Sequence, residues 1–370
     1  MKKNKVKSSS SKSSIEQGIR RFDRTKLKQT ETIVRKTSPI KSKMVLDSDP
    51  APRFDLDDPN MLVHLEDYGY AIVKCVADEP EVHTARDLFW KFLEENAGMD
   101  RNKPKTWDDA RFSRVGMPQV GILDMGQSDA NWFVRLLPRV KSAFEAIWKT
   151  PDLIVSFDGG NAFRPHHAPG QTSKRTSGGW WHVDQGHGKR GVQAIQGFVS
   201  LYDGTAETGG LCVIPGSHRG HDGLLAQVPN ASGDFVMVPS PSTNPIIRDG
   251  KLIVCKAGDL VLWDSRTIHC NNPSLTTPTE EGGYPHDQLL RAAIYVCMTP
   301  RYKASSNVIT MRRKAFLAGV GTSHWPHEFH PKCPGEIDTV FQKFTDKKVE
   351  EAFVDLNVRE EQRSLIGDAW

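Results

Sequence analysis

Apolar positions recur at helical spacing in two early stretches of the chain. In Pro80 to Gly98 the residues Val82, Ala85, Leu88, Phe89, Phe92 and Leu93 trace one stripe, and Asn96-Ala97-Gly98 supplies a stop. In Ser128 to Trp148 the residues Phe133, Leu136, Leu137, Val140, Phe144 and Ile147 trace a second, with Ser128 or Asp129 as its cap. Both read as packing helices.

From about Leu153 the period changes. Short β-branched and aromatic runs are separated by Gly, Pro, Asn and Asp: Leu153–Phe157, Trp180–Val183, Val192–Tyr202, Leu211–Ile214, Phe235–Val238, Leu252–Cys255, Asp259–Trp263, Thr267–Cys270 and Leu290–Met298. Many short strands with no helices alternating between them predict a β-sandwich or barrel rather than a parallel βαβ sheet. Helical signals return in Ile309–Ala318 and near the carboxy terminus, and no internal repeat is found.

Charge divides the 370 residues further. Residues 1–43 carry 14 Lys and Arg against Glu16, Asp23 and Glu31, a balance of +11. The other 327 residues hold 35 bases and 42 acids, or −7, so the whole-chain charge of +4 describes neither part. Residues 1–50 are rich in Lys and Ser, poor in apolar side chains, and expected to be a disordered tail. Residues 51–370 form the expected domain, its motif-bearing core at about 150–300. The six cysteines show no Cys-x-x-Cys pair and suggest neither a disulfide framework nor a zinc cage. No apolar run approaches the roughly 18 residues needed to span a bilayer. The amino terminus has no secretory core and the final Gly367-Asp368-Ala369-Trp370 is not of the peroxisomal Ser-Lys-Leu type, so the expected location is intracellular, cytoplasmic or nuclear. The tail would engage nucleic acid only nonspecifically, because the body has no aromatic-and-basic recognition pattern. Oligomeric state is not legible.

Chemistry enters with Trp180-Trp181-His182-Val183-Asp184. On a strand His182 and Asp184 project to the same side and can share one cation, and an imidazole with a carboxylate suits iron. With 13 His in the chain, roughly one His-x-Asp arises by chance. The segment Gly258-Asp259-Leu260-Val261 to Asp264-Ser265-Arg266-Thr267-Ile268-His269 offers a third ligand, His269, 85 residues beyond Asp184. Two histidines and a carboxylate leave three iron positions open. Along Val192–Leu201 one face reads Gln196, Phe198, Ser200, a mixed surface fit for a cavity wall or for an ordinary core. Asn271 shares the face of His269 if that strand continues, or is a turn residue before Pro273.

Trp181-His182-Val183-Asp184, the block Glu207-Thr208-Gly209-Gly210-Leu211-Cys212-Val213-Ile214-Pro215-Gly216-Ser217-His218 and the segment ending at His269 together resemble the phytanoyl-CoA dioxygenase family of Fe(II)/2-oxoglutarate oxygenases, over about residues 60–300. The resemblance implies a mainly β, cupin-like double-stranded β-helix (jelly roll) with flanking helices. It implies Fe(II) held by His182, Asp184 and His269, with 2-oxoglutarate and O2 as cosubstrates. It also implies an arginine on a later strand that grips the distal carboxylate of 2-oxoglutarate. Arg291 is the candidate, although it lies 22 residues past His269, against roughly ten expected; Arg266 and Arg301 compete, and a surface loop at Leu275–Gln288 would explain the excess. Gln196, Phe198 and Asn271 are further candidates for the cosubstrate site. The expected reaction is hydroxylation of a small organic substrate with release of succinate and CO2. The alternative is a non-catalytic cupin-like binding protein. His218 is expected to be structural; His166, His167 and His187 fit solvated or lid positions; Lys174, Arg175, Lys189 and Arg190 are solvated or attract an anionic substrate.

Overall fold

A computed structural model of the chain describes residues 46–166, 174–241, 243–244, 247, 250–275, 287–332, 341, 346–355 and 358–368. The basic segment 1–45, His167 and most of the predicted 275–288 loop lie outside the described residues.

Among the described residues five helices precede the main β region. α1 (Asn60–Tyr68) and β1 (Tyr70–Val73) were not marked by the sequence pattern: α1 is a short helix without a side-chain cap. α2 (Glu79–Ala97) matches the first predicted stripe. Its start is fixed reciprocally, as Asp78 accepts from the Glu81 amide while the Glu81 carboxylate accepts from the Asp78 amide, both at 2.9 Å. After the single turn α3 (Asp109–Phe112) and the two-residue strands β2 (Gly116–Met117) and β3 (Ile122–Leu123), the second stripe forms two helices instead of one. These are α4 (Asp129–Arg135) and α5 (Pro138–Trp148), and the cause of the break is Pro138, which has no N–H to continue α4 but is preorganised to open α5.

The strands that follow are β4 (Leu153–Val155), β5 (Gly160–Phe163), β6 (His182–Val183), β7 (Ile195–Ser200), β8 (Gly210–Val213), β9 (Val236–Met237), β10 (Lys251–Leu252), β11 (Leu260–Asp264), β12 (His269–Asn272) and β13 (Arg291–Pro300). Between β8 and β9 lies α6 (His221–Ala226), and α7 (Ser306–Leu317), α8 (Asp346–Asp355) and α9 (Glu360–Ile366) follow β13.

Among the described residues these strands make two antiparallel sheets. The larger runs β1-β11-β7-β13-β5-β3-β2, with β4 on β13, and the smaller runs β10-β8-β12-β6-β9. From β5 to β8 each strand lies in the other sheet from its predecessor, and the alternation resumes with β10, β11, β12 and β13. This is jelly-roll, or double-stranded β-helix, topology. Period-2 alternation puts Phe198, Val261, Trp263 and Ala293 of the larger sheet and Leu211 and Val213 of the smaller into one buried cluster, the layer between the sheets. A second cluster, including Trp181, Val183, Cys212, Ile268 and Cys270, covers the other face of the smaller sheet.

The turn Phe157–Gly159 between β4 and β5 is held from α4. Asn131 donates to the carbonyls of Asp158 (2.9 Å) and Gly159 (2.8 Å), and Arg135 to those of Gly126 (2.6 Å) and Asp158 (2.7 Å). At the other end, Gly69 (φ 75°) follows α1 so closely that a Cβ there would lie 2.4 Å from Thr267 Oγ1, and Thr267 donates to the Gly69 carbonyl at 2.8 Å. That contact braces the turn leading into β12.

Candidate metal centre and cosubstrate site

His182 opens β6 and His269 opens β12, and the two residues stand opposite each other in the antiparallel ladder of the smaller sheet. Asp184, just past β6, is tied by its amide to the Ser265 carbonyl (2.9 Å), and Ser265 Oγ donates to the Gln185 side-chain carbonyl at 2.9 Å. One donor atom from each of His182, Asp184 and His269 lies within 4.8 Å of the others, and all three residues are buried.

Each imidazole has one nitrogen already assigned. His182 Nδ1 lies 3.0 Å from the Trp180 carbonyl and His269 Nδ1 2.9 Å from that of Thr267. A carbonyl only accepts, so Nδ1 carries the proton and Nε2 presents its lone pair. Those Nε2 atoms lie 3.6 Å and 3.3 Å from the two Asp184 oxygens. Burial, then the neighbouring His269, pushes His182 down to about 3, so it is neutral at pH 7. Burial alone would raise the Asp184 carboxyl, but His182, His324 and His269 outweigh it and hold the group ionised. Two imidazoles, each oriented through its Nδ1, and one carboxylate converging from three backbone positions are a donor set that suits a single ferrous ion.

Gln196, on β7 across the interior, donates from Nε2 to Asp184 Oδ2 at 2.9 Å. Its amide thus engages the candidate ligand carboxylate directly. Arg291, the first residue of β13, is buried, and no carboxylate pairs with it among the described residues. Its Nη1 donates to Asn271 (2.8 Å) and to Asn161 (3.2 Å), and its guanidinium lies 4.7 Å from the Phe198 ring and 5.3 Å from that of Phe163. Burial lowers its pKa, and the nearby Tyr295, Cys255 and Cys212 offset this only in part. A desolvated cation held only by neutral groups is a site for an incoming anion. Asn271, Gln196 and Phe198 therefore all face the interior, as does Tyr295, four residues along β13 from Arg291 and hydrogen-bonded to Asn271.

The competing arginines are committed elsewhere. Arg266 forks onto Asp264 (2.9 and 2.7 Å), and Arg301 donates to the Gly367 carbonyl at 3.0 Å. His218 is structural, with Nε2 2.9 Å from the Glu66 carbonyl. His166 is buried, which rules out the solvated position of the two expected for it. Lys189 is not open to an anionic substrate either: it lies between Asp234 (2.6 Å) and Glu328 (3.0 Å), over the Trp325 ring at 4.2 Å.

Several neighbours were not singled out from sequence. Trp180 stacks on the His182 ring (4.8 Å, 10° between planes), and the half-exposed Phe235 meets it 4.5 Å away. Asn161 sits in a Gly-flanked strand of weak β propensity, so nothing in its context marked it. Tyr295 was reachable by period-2 counting from Arg291.

A model of the phytanoyl-CoA dioxygenase (PhyH) family matches residues 65–277, more than half of the chain. Ava biosynthesis cluster protein O of Aspergillus versicolor is 24% identical over 247 residues, which is 63% of this chain and 74% of that protein. Among solved structures, the non-heme alpha-ketoglutarate-dependent carbocyclase SnoK from nogalamycin biosynthesis is 15% identical, covering 67% of this chain and 87% of SnoK at a TM-score of 0.46. EctD from S. alaskensis, with 2-oxoglutarate and 5-hydroxyectoine, is 14% identical, covering 72% of this chain and 88% of EctD at a TM-score of 0.43. The chain belongs to the phytanoyl-CoA dioxygenase family, enzymes that use Fe(II), 2-oxoglutarate and O2. Among the described residues no helix is long and apolar enough to cross a membrane.

Proposed function

We propose that the protein hydroxylates a C–H bond of a small organic substrate, with His182, Asp184 and His269 as the iron ligands and Arg291 as the partner of the distal carboxylate of 2-oxoglutarate. The observation that carries this reading is the convergence of two Nε2 lone pairs and one carboxylate within 4.8 Å, each imidazole oriented by its Nδ1 hydrogen bond. With iron and 2-oxoglutarate bound there, O2 would supply the oxidising power, one oxygen atom going to the substrate and the other to succinate as 2-oxoglutarate loses CO2.

The chain's own side chains bind and orient. Gln196 holds Asp184 in one rotamer, because its donor fixes one carboxylate oxygen and leaves the other turned toward His182. Asn271 and Asn161 fix the guanidinium of Arg291 from one side, and Phe198 lies beneath it, so a carboxylate meets a preoriented fork. The buried apolar residues Leu211, Val213 and Ala293 keep water from the interior between these two ends. Asp184 occupies the coordination position that a halide would need, which favours hydroxylation over halogenation. Every side chain named in the two binding ends lies between residues 161 and 295, in keeping with a catalytic domain at 51–370 and a separate basic segment at 1–50.

Anaerobic titration with Fe(II) and 2-oxoglutarate tests the reading. A visible charge-transfer band that requires both components is expected in the wild type, and His182→Ala should lose both the band and succinate formation. Full turnover in that variant, or no band in the wild type, would sink the assignment and leave a cupin-like binding protein.

A further inference from the structure

The two candidate ligand imidazoles are packed in different ways. Beside the His269 ring stands the buried indole of Trp263, 5.4 Å away between centroids, in the apolar layer between the sheets. The His182 ring instead meets two aromatic side chains that reach solvent. Trp180 lies parallel to it at 4.8 Å and 10°, and Phe235 approaches it at 4.5 Å and 36°. Phe235 is 46% exposed and Trp180 partly exposed, yet His182 itself is only 3% exposed. One hydrogen bond, from Nδ1 to the Trp180 carbonyl at 3.0 Å, holds one edge of the His182 ring and leaves its plane to be set by what packs against it. Trp180 thus meets the imidazole through both its carbonyl and its indole, and the indole is fixed in turn, its Nε1 donating to the Ser177 carbonyl at 3.2 Å.

Phe235 is held in place by its neighbours in the chain. It directly precedes β9, the edge strand of the smaller sheet, which pairs with β6 so that Met237 stands opposite His182. The turn before it runs hard against the loop that follows Asp184, where a Cβ on Gly186 would lie 2.0 Å from the Gly233 carbonyl. Asp234 accepts from the Gly186 amide at 3.1 Å and pairs with Lys189 at 2.6 Å. Lys189 also pairs with Glu328 at 3.0 Å and lies 4.2 Å over the Trp325 ring, in a segment beyond the residues that the family model matches. The charged side chains of this junction are 17–29% exposed, so water and salt weaken it less than an open surface pair.

We propose that Phe235 and Trp180 are positioning residues for the iron ligand His182: they fix the plane of its imidazole so that Nε2 keeps its aim, and the Asp234–Lys189–Glu328 junction sets Phe235 against the ring. This rests on the reading of His182 as an iron ligand. A half-exposed phenylalanine contributes little to folding, and its loss from a surface is usually silent. Here the loss should register at the metal.

The test uses the full-length protein without oxygen, titrated with Fe(II) at fixed 2-oxoglutarate, and urea unfolding of the metal-free protein beside it. Phe235→Ala should weaken Fe(II) binding about fivefold, the worth of one ring contact, and move the charge-transfer maximum while the urea midpoint stays unchanged. Phe235→Tyr, which keeps the ring, should bind Fe(II) as the wild type does. Lys189→Met should weaken Fe(II) binding in the wild-type background and add nothing to Phe235→Ala, because both changes act through one contact. Affinity within twofold of wild type in Phe235→Ala, or a loss that Phe235→Tyr does not recover, overturns the positioning role of the ring. Additive losses in the double variant overturn the role of the junction. In each of these cases the wild type still shows the band and His182→Ala abolishes it, whereas a His182→Ala protein that keeps the band refutes the ligand reading itself.

Discussion

Replacing Gln196 with leucine removes one of the hydrogen bonds that orient Asp184. Leucine fills nearly the same volume, and β7 keeps its ladder to β11 and β13, because those bonds are made by the backbone. What is lost is the Nε2 donor 2.9 Å from Asp184 Oδ2. A hydrogen bond to an ionised partner contributes about 1.5–3 kcal/mol. At about 1.4 kcal/mol per factor of ten this is roughly a 10- to 100-fold loss in Fe(II) affinity, the range found when the orienting partner of a metal ligand is removed. The metal-free protein should lose some stability too, because the buried Asp184 carboxylate loses a donor, but less than iron binding loses, since the Asp184 amide stays tied to the Ser265 carbonyl at 2.9 Å. The assay is anaerobic Fe(II) titration at fixed 2-oxoglutarate, with urea unfolding of the metal-free protein beside it. Iron affinity within twofold of wild type, or a loss matched by an equal loss of folding stability, would refute the idea that Gln196 works by holding Asp184.

Arg291→Met should raise the KM for 2-oxoglutarate on the order of 100-fold, while the metal-free protein stays as stable or gains stability, because a buried cation without a counter-charge is removed; steady-state kinetics and urea unfolding read the two effects separately. Arg312→Met should destabilise by about 3 kcal/mol or more in urea unfolding, since the guanidinium satisfies the carbonyls of Val155 (2.7 Å), Ile366 (2.8 Å), Leu365 (3.0 Å) and Pro326 (3.0 Å) in the interior; a change under about 1 kcal/mol contradicts this. His327, pushed down to about 4 by burial and then by the charge of Lys303, is neutral when folded. The unfolded chain takes up a proton near pH 6.5 that the folded one refuses, so its share of stability is full above that pH. It is lost at up to about 1.4 kcal/mol per pH unit as pH falls from about 6.5 to 4. Urea unfolding of the metal-free protein at pH 7, 6 and 5 should show a shallower decline in His327→Gln than in wild type.

The strands that frame the centre were legible because they are dense in β-branched and aromatic residues, and His182 and Asp184 could be placed on one side by counting in twos. His269 was legible as the end of a strand pattern, and Arg291 came from the resemblance and from its place at the head of an apolar run. The break at Pro138 was missed because apolar periodicity continues through it: Leu136 and Leu137 keep the stripe while the missing N–H ends the helix. β5 escaped notice since Gly160 and Asn161 disfavour strands in isolation, and tertiary pairing with β13 decides the matter. The strand predicted from Trp180 narrows to His182–Val183, which frees Trp180 to stack on the ligand it precedes.

The direct pairing of His182 with His269 has a bearing on how such an enzyme changes over time. Eighty-seven positions apart in sequence, the two candidate ligands share one rung of the ladder, so strand spacing fixes their separation and the length of chain between them does not. Lengthening a connecting loop costs little, about 0.6 kcal/mol for each doubling. The stretch that contains α6 can thus be rewritten for a new substrate while the metal stays where it is. The histidine pair is a fixed hinge pin, and the chain strung between its ends is an interchangeable cassette.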